Sequence, residues 1–428
     1  MLNNSVMKKL VIYSLIFFHS TGSVFAQLTI EECYSKARDN YPMIKRYELI
    51  EKLKDCDLSN AGKGYLPQIS FSAKASYQSD VTKLPVDFSQ LGISGVDVPA
   101  LSKDQYGAVV DVSQTIWDGG AIKSRKENIR TSSEADEKSL EVALYAINDR
   151  VNQVFFGVLL FDAQIRQNKL YQEELQRNYE QISSRIENGI ANRADLDAVK
   201  IEQLKSIQNE SRLLHSKKAY RDVLSTLIGE EISPGTELVK PDGLYPGLSV
   251  QRPELELYDT QIKNMEARHK EINAGLMPRL RVFVTGGYGK PGLNMLEDDF
   301  SAYYIAGVNL TWNFSNLYSN KSDKRKLQNN IASVRTQQET FLFNTNMEVS
   351  QKRNEIDMYR DQLKYDNEII ALRESVKQSS AVKMANGIIS VTDLMRDVNA
   401  EELARQDKIL HEMEMLLAIY NLKFTTNN

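Results

Sequence analysis

The sequence has few of the residues that interrupt or staple small domains. Its 428 residues include 21 glycines and 10 prolines, together about 7% of the chain where roughly 12% is average. So few chain breakers indicate long, uninterrupted elements. The two cysteines, Cys33 and Cys56, are predicted on one helix. There they would lie about 35 Å apart, which excludes a disulfide between them.

An excess of one charge and long apolar runs are also lacking. The 53 basic and 57 acidic residues leave a formal net charge of −4, without the basic excess that is typical of a nucleic-acid-binding protein. Beyond the first 26 residues, no apolar run approaches the ~18 residues that a membrane-spanning helix needs. Hydrophobic residues make up 42% of the chain, which excludes a disordered protein.

Residues 1–26 have the pattern of a secretory signal peptide. Lys8 and Lys9 precede an apolar run at 10–18, and Ala26 is the small residue of a cleavage site. We expect cleavage after Ala26. The alternative, an uncleaved anchor, is disfavoured because the apolar run is too short to cross a bilayer.

The remainder of the chain contains an internal repeat. The segment Gly-Tyr-Leu-Pro-Gln-Ile at 64–69 returns as Gly-Leu-Met-Pro-Arg-Leu at 275–280. The segment Asn-Gly-Ile-Ala-Asn-Arg-Ala-Asp-Leu at 188–196 returns as Asn-Gly-Ile-Ile-Ser-Val-Thr-Asp-Leu at 386–394. A linker at 229–253, rich in Gly and Pro, therefore separates a first repeat at 27–228 from a second at 254–428.

Each repeat has the same predicted order of elements: a helix, two strands joined by a loop, a very long helix, a short turn and a last helix. Heptad spacing from Leu255 to Leu276 predicts that helices pack side by side. The shorter helices, stacked end to end beside the long ones, would build a hollow helical cylinder. The predicted helices lie at about 28–63, 121–187, 190–228, 254–276, 319–385 and 389–424, and the strands at about 67–79, 105–117, 279–290 and 303–315.

The four predicted strands alternate between apolar and polar residues. In the first of them, Ile69, Phe71 and Tyr77 share one face, while serines, glutamines and Lys74 share the other. This pattern fits the wall of a transmembrane β-barrel, and the alternative is a soluble sheet with one buried face. The two tryptophans, Trp117 and Trp312, fall at equivalent strand ends, as interfacial aromatic residues would.

Four strands are too few to close a barrel, since the smallest single-chain barrels use eight. Open sheet edges do not occur in hydrocarbon. The chain is therefore expected to share its barrel with copies of itself. Two copies would give eight strands with a filled lumen, and three would give twelve with a passage.

These repeated junctions and turns, in this order, resemble the TolC-like outer membrane efflux protein family over essentially the whole mature chain. The resemblance implies a mixed α/β membrane protein, in which a long α-helical coiled-coil barrel adjoins a 12-stranded barrel shared by a homotrimer. It implies an outer-membrane location in a Gram-negative bacterium, with a large periplasmic portion. It also implies a periplasmic membrane-fusion adaptor and, through it, an inner-membrane pump of the resistance-nodulation-division or ABC type as partners.

The resemblance assigns roles to the two repeated turns. It implies that they form the periplasmic tip, which contacts the adaptor and closes the tunnel. Two positions that tie the gate in family members are here Ile389 and Met384, so the gate contacts differ, and Arg193 or Arg396 could pair with Asp195 instead. The implied docking residues are Asn188, Gly189, Ile190, Leu196, Asn386, Gly387, Ile388, Thr392 and Leu394; the implied gate residues are Asp195, Met384, Asp393, Arg396 and Asp397.

No enzyme motif appears. The mature chain has three isolated histidines, His215, His269 and His411, and no nucleophile elbow, phosphate loop or metal-binding HExxH. No cofactor is expected, because the energy for transport would enter at the pump. The alternative function is a secreted coiled-coil scaffold or adhesin with a small soluble sheet.

Overall fold

The computed structural model describes residues 27–82, 101–233 and 235–428. The predicted signal peptide lies outside this range, as does most of the loop between the first two strands of the sheet. The described chain forms two compact units. The helical unit contains the chain up to Ile44, Ala143–Arg252 and Phe341–Asn428; the sheet unit contains Lys45–Val142 and Pro253–Thr340.

Long helices dominate the described chain. The longest, α7, has 70 residues, and none of the described helices is long and apolar enough to cross a membrane. Two short 3₁₀ turns lie at Pro42–Lys45 and Lys63–Tyr65. The α-helices are α1 (Ile30–Asn40), α2 (Arg46–Gly62), α3 (Ala121–Tyr145), α4 (Ile147–Glu187), α5 (Arg193–Ile228), α6 (Pro253–Ala274), α7 (Asn316–Ala385) and α8 (Val391–Thr426).

The structure corrects the predicted single helix over 28–63. Tyr41 ends α1 in an extended conformation, because the residue before a proline is disfavoured in the helical region, and Pro42 follows. Cys33 and Cys56 consequently lie on different helices, Cys33 buried and Cys56 exposed, and both are free thiols. The predicted helix over 121–187 is interrupted at Ala146, whose backbone remains right-handed.

The predicted heptad seam on α6 also needs correction. Its large apolar residues are only half-buried, and the buried positions are instead Pro253, Thr260, Asn264, Ala267 and Ala274. Asn264 donates hydrogen bonds to Asn128 Oδ1 at 3.0 Å and to Thr131 Oγ1 at 3.0 Å on α3. Small and amide side chains therefore form this helix contact.

Four antiparallel strands form the sheet of the sheet unit: β2 (Gln68–Tyr77), β3 (Asp104–Trp117), β5 (Arg279–Lys290) and β6 (Ser301–Thr311), in the order β2-β3-β5-β6. The β3–β5 pair joins the two repeats. In the helical unit, the two-residue strands β1 (Gln27–Leu28) and β4 (Glu237–Leu238) pair in parallel. Among the described residues, β2 and β6 each have one edge without a partner strand.

The strand register sorts the side chains onto two faces. One row across the sheet consists of Ile69, Val112, Val284 and Ala306, and the next row, on the opposite face, of Ser70, Asp111, Thr285 and Ile305. The apolar face is not covered, since Phe71 is 71% and Tyr304 is 78% exposed. A soluble sheet would bury this face.

The tryptophans lie at the ends of β3 and β6 that lead into the long helices. Trp117 is the last residue of β3, and Trp312 follows the last residue of β6. Both are about half exposed. Trp312 packs on Phe314 with ring centroids 4.9 Å apart, and its indole nitrogen donates to the Leu276 carbonyl at 3.0 Å.

Candidate functional site at the two repeated turns

The turns after α4 and α7 have the same backbone geometry, which the sequence repeat specifies locally. Gly189 and Gly387 adopt left-handed conformations, with φ of 73° and 72°. The amide after each glycine closes a wide turn, from Ile190 to the Arg185 carbonyl at 2.8 Å and from Ile388 to the Lys383 carbonyl at 2.9 Å. Such turns satisfy the last carbonyls of a helix and favour glycine.

The helices that follow both turns begin with a capping box. Asn192 Oδ1 accepts a hydrogen bond from the Asp195 amide at 3.0 Å, and the Asp195 carboxylate accepts one from the Asn192 amide at 3.0 Å. Ser390 and Asp393 repeat this exchange at 3.1 and 3.2 Å. Both acids therefore stabilise helix starts. Hydrogen bonds from the Ser390 hydroxyl and amide hold the pKa of Asp393 below its usual range.

A buried cluster lies directly behind the turns, in the helical unit. Met384 is 4% and Leu394 is 2% exposed within it, and Leu196 packs against it. Such burial argues against Met384 as a pore-lining gate residue and against Leu394 as a direct docking contact. The cluster contains Tyr171, Leu175, Ile182, Val199, Met384, Val391, Leu394, Met395 and Val398.

The outer surface of the two turns carries the other predicted docking residues. Ile190 is 66% and Ile388 is 70% exposed, although both are large apolar side chains. Asn188, Asn386 and the turn glycines are exposed beside them, as is Thr392. The turns thus expose two equivalent isoleucine side chains among polar residues and glycines.

Arg185 joins the two turns, a contact that the sequence analysis missed. Its guanidinium donates to the Ala385 carbonyl at 3.0 Å and contacts the Met384 sulfur at 3.3 Å. The available signal was a basic residue in the last turn of α4, where such side chains often bond free carbonyls. The repeat gave no guidance, because Lys383 occupies the equivalent place.

The predicted alternative partners of Asp195 have other roles or none. Arg396 pairs with Asp393 at 3.4 Å and with Asp397 at 3.6 Å, and not with Asp195. Asp397 also accepts from the Ser380 hydroxyl at 2.6 Å, which ties α8 to α7. Arg193 forms no ion pair with described residues. Asp393 and Asp397 are therefore partly neutralised within their own chain.

Behind the turns, an ionic cluster around one buried carboxylate links three helices. Glu401 on α8 pairs with Lys377 on α7 at 2.5 Å and with Arg405, whose Nε lies 2.8 Å away. Lys377 also reaches Glu174 on α4 at 2.7 Å, and Arg405 reaches Glu374 at 3.5 Å. Because the Glu401 side chain is 3% exposed, the cluster fixes the helices against one another.

Residues 33–230 match the sequence model of the family described as "Outer membrane efflux protein". The resemblance to this family is confirmed. The family is one of channels rather than enzymes, and its description names the outer membrane, the location expected from the sequence. No curated protein is significantly similar to the chain in sequence.

Solved structures share the fold over nearly the whole chain. CusC, whose structures are described in terms of transmembrane channel formation, matches with a TM-score of 0.66 and 14% identity over 93% of this chain and 91% of its own. A membrane protein from Pseudomonas aeruginosa matches at 0.65 and 14%, over 93% and 90%. The outer membrane protein VceC from Vibrio cholerae matches at 0.63 and 12%, over 93% and 96%. The chain has the TolC-like fold.

Proposed function

We propose that this chain is the outer-membrane exit duct of a tripartite efflux pump or a type I secretion system. It works as a homotrimer with a shared 12-stranded barrel and conducts substrate passively to the exterior. A periplasmic membrane-fusion adaptor connects it to an inner-membrane pump of the resistance-nodulation-division or ABC type. The duct needs no cofactor and no nucleic acid, and outer-membrane lipid surrounds its barrel.

The observation that carries this proposal is the four-stranded sheet with an uncovered apolar face and two open edges. An apolar face suits hydrocarbon, whereas open backbone edges do not, because nothing in hydrocarbon replaces their hydrogen bonds. Closure through copies resolves the conflict, since the β2 edge of one copy can pair with the β6 edge of the next. Three copies leave the lumen open for transport.

The helical unit supports assembly independently. On α7, Tyr365, Ile369, Leu372 and Val376 are exposed and follow the alternating 4-3-4 spacing of a coiled-coil seam. On α5, Ile201, Leu204, Ile207 and Leu214 are also exposed. A single chain gives these stripes no partner among the described residues, and an adjacent copy would cover them.

The two turns are proposed as the periplasmic tip. Exposed Ile190 and Ile388 supply apolar contacts for the adaptor, while the glycine turns and capping boxes hold them in place. Asp195 and Asp393, repeated in three copies, would place carboxylates around the tip. The buried cluster and Arg185 keep the turns of one chain together, as a closed end requires.

Cysteine cross-linking tests the shared barrel. In a background with Cys33→Ala and Cys56→Ser, Ser72→Cys in β2 and Ile305→Cys in β6 place thiols on the same face of the two edge strands. A short bifunctional thiol reagent should give covalent dimers and trimers from outer membranes with the double variant. Each single variant serves as the control, because it offers only one of the two edges.

The scaffold alternative makes the opposite prediction. A secreted scaffold would be recovered as a water-soluble protein, would migrate identically on gels with or without heating, and would give no cross-linked trimer. The genes beside this one test the partner class: an adjacent resistance-nodulation-division pump indicates drug or metal efflux, and an adjacent ABC transporter indicates secretion of a protein or peptide.

A further inference from the structure

The polar face of the sheet carries more positively than negatively charged side chains. The strand register places Lys74, Asp111, Arg279 and Arg281 on this face. The remaining charged strand residues, Asp104 and Lys290, lie at strand ends on the opposite face. Each chain therefore presents three cations and one carboxylate on the polar face.

The single carboxylate, that of Asp111, accepts a hydrogen bond from the neighbouring strand. The Thr285 hydroxyl on the neighbouring strand donates to Asp111 Oδ1. Lys74, Arg279 and Arg281 are exposed and form no ion pair with the described residues. The uncompensated charge on this face is thus positive.

The two arginines are concentrated at one end of the sheet. Arg279 begins β5, close to the strand ends that lead into the long helices. Arg281 follows on the same face, about 7 Å further along the strand. Their register neighbours are neutral: Thr311 beside Arg279, with Asn309 and Thr115 beside Arg281. No carboxylate on these strands is in position to neutralise the pair.

Aromatic side chains continue the same face above the arginines. Phe283 lies over Gly307, where an added Cβ would meet its ring at 3.0 Å, and Tyr303 lies over Gly287. These rings pack against glycines of the neighbouring strands and add no charge to this face.

We propose that Arg279 and Arg281 form a ring of guanidinium groups at the helix-side end of the barrel lumen and make the duct select anionic solutes. The substrate class is accordingly small molecules that carry carboxylate, sulfate or phosphate groups. Rings of Arg or Lys favour anions in pores because the walls concentrate their field in the lumen. This inference rests on the proposed trimeric duct, with the polar face toward the lumen.

Reversal potentials of the purified protein in planar bilayers under a KCl gradient test the proposal. The wild-type duct should be more permeable to chloride than to potassium. Arg279→Gln with Arg281→Gln should lower this permeability ratio about threefold, because a ring of this kind sets the local ion concentration. Arg279→Lys with Arg281→Lys is the matched control, which keeps the charge and should keep the ratio.

A ratio unchanged by the glutamine pair at equal conductance would overturn the anion ring, and so would a wild-type duct that prefers potassium. If the glutamine pair fails to fold, the wild type provides the second measurement. Its preference should weaken between 0.1 M and 1 M KCl, as the Debye length falls from about 10 Å to about 3 Å, and a preference independent of salt also overturns the proposal. Failure of the duct itself would look different, since a protein without trimers or channels gives no reversal potential.

Discussion

Replacing Glu401 by glutamine should destabilise the helical unit, because this buried carboxylate forms ion pairs with two cations. Its side chain is 3% exposed and contacts both Lys377 and Arg405. Glutamine has nearly the same shape but no charge. The variant therefore removes the electrostatic link between α7 and α8 without opening a cavity.

The size of the effect depends on the ion pairs that remain in the variant. Removing one partner of a buried ion pair usually costs about 3–5 kcal/mol. Here Lys377 retains Glu174 and Arg405 retains Glu374, so about 2 kcal/mol is expected. For a unit of this size, such a loss lowers the Tm by roughly 4–8 °C.

The effect should depend on pH in a defined direction. Burial by itself would raise the pKa of Glu401, but the hydrogen bonds from Lys377 and Arg405 outweigh it and hold the pKa below its usual range. A lowered pKa contributes stability that is complete above the unfolded-state value, about 4.3, and is lost as the pH falls through the folded-state value. The difference between wild type and Glu401→Gln should therefore shrink under acid conditions.

The adjacent Glu402 provides the matched comparison, because its environment has the opposite effect. Burial raises the pKa of Glu402, and hydrogen bonds from Gln167 and Gln406 offset only part of this rise. Its ionised form costs stability above the raised pKa. Glu402→Gln should accordingly preserve or increase the Tm at pH 7, and any gain should disappear as the pH falls toward the unfolded-state value.

Thermal unfolding followed by circular dichroism at 222 nm measures both variants in detergent. The expected order of Tm at pH 7 is Glu402→Gln at or above wild type, with Glu401→Gln below both. If Glu401→Gln melts at or above the wild-type temperature, the ionic cluster does not stabilise the helical unit. An equal loss of Tm in both variants would show that the surroundings of Glu401 and Glu402 do not have opposite effects.

Three further predictions concern the turns. Gly387→Pro should abolish pump-dependent export while leaving trimers intact, because proline cannot adopt the positive φ of this turn; retained export would argue against the turn as the docking element. Asp195→Ala with Asp393→Ala should cost about 0.3–1 kcal/mol per turn, because the N-cap bonds of Asn192 and Ser390 remain, and should change single-channel conductance or the ratio of potassium to chloride permeability; unchanged values would remove both acids from the gate. Arg185→Gln should broaden the distance distribution between spin labels on the two turns, with exposed Arg193→Gln as a control that should not; equal distributions would contradict the cross-turn link.

Local patterns were sufficient to predict the fold. Alternation over two-residue periods identified the strands, and the repeated glycine turns predicted where the long helices end. Alternation depends on neighbouring residues alone. The TolC-like fold, which the resemblance of the repeated motifs implied, is confirmed. The break after Tyr41 also had a local signal, Pro42, although the predicted helix ran through it.

The features of the site that the sequence did not show depend on distant residues. Met384 was assigned to a gate by its position, yet the packing of three other helices buries it. Arg185 and Ala385, like Glu174 and Lys377, lie about 200 positions apart in sequence, and local spacing gives no signal for such contacts. The α6 seam failed for a similar reason, because close contact with α3 selects small side chains rather than the largest apolar ones.

The unpaired edges of β2 and β6 also constrain the order of events in biogenesis. A newly exported chain cannot enter the lipid phase alone, because its outer strands would carry bare amides and carbonyls into hydrocarbon. In the proposed duct, encounter between copies must come before or with insertion, and a chain without a partner copy would stay in the periplasm with its strand edges exposed. The concentration of newly made chains, and their protection from proteases while they wait, would then limit the yield of finished ducts.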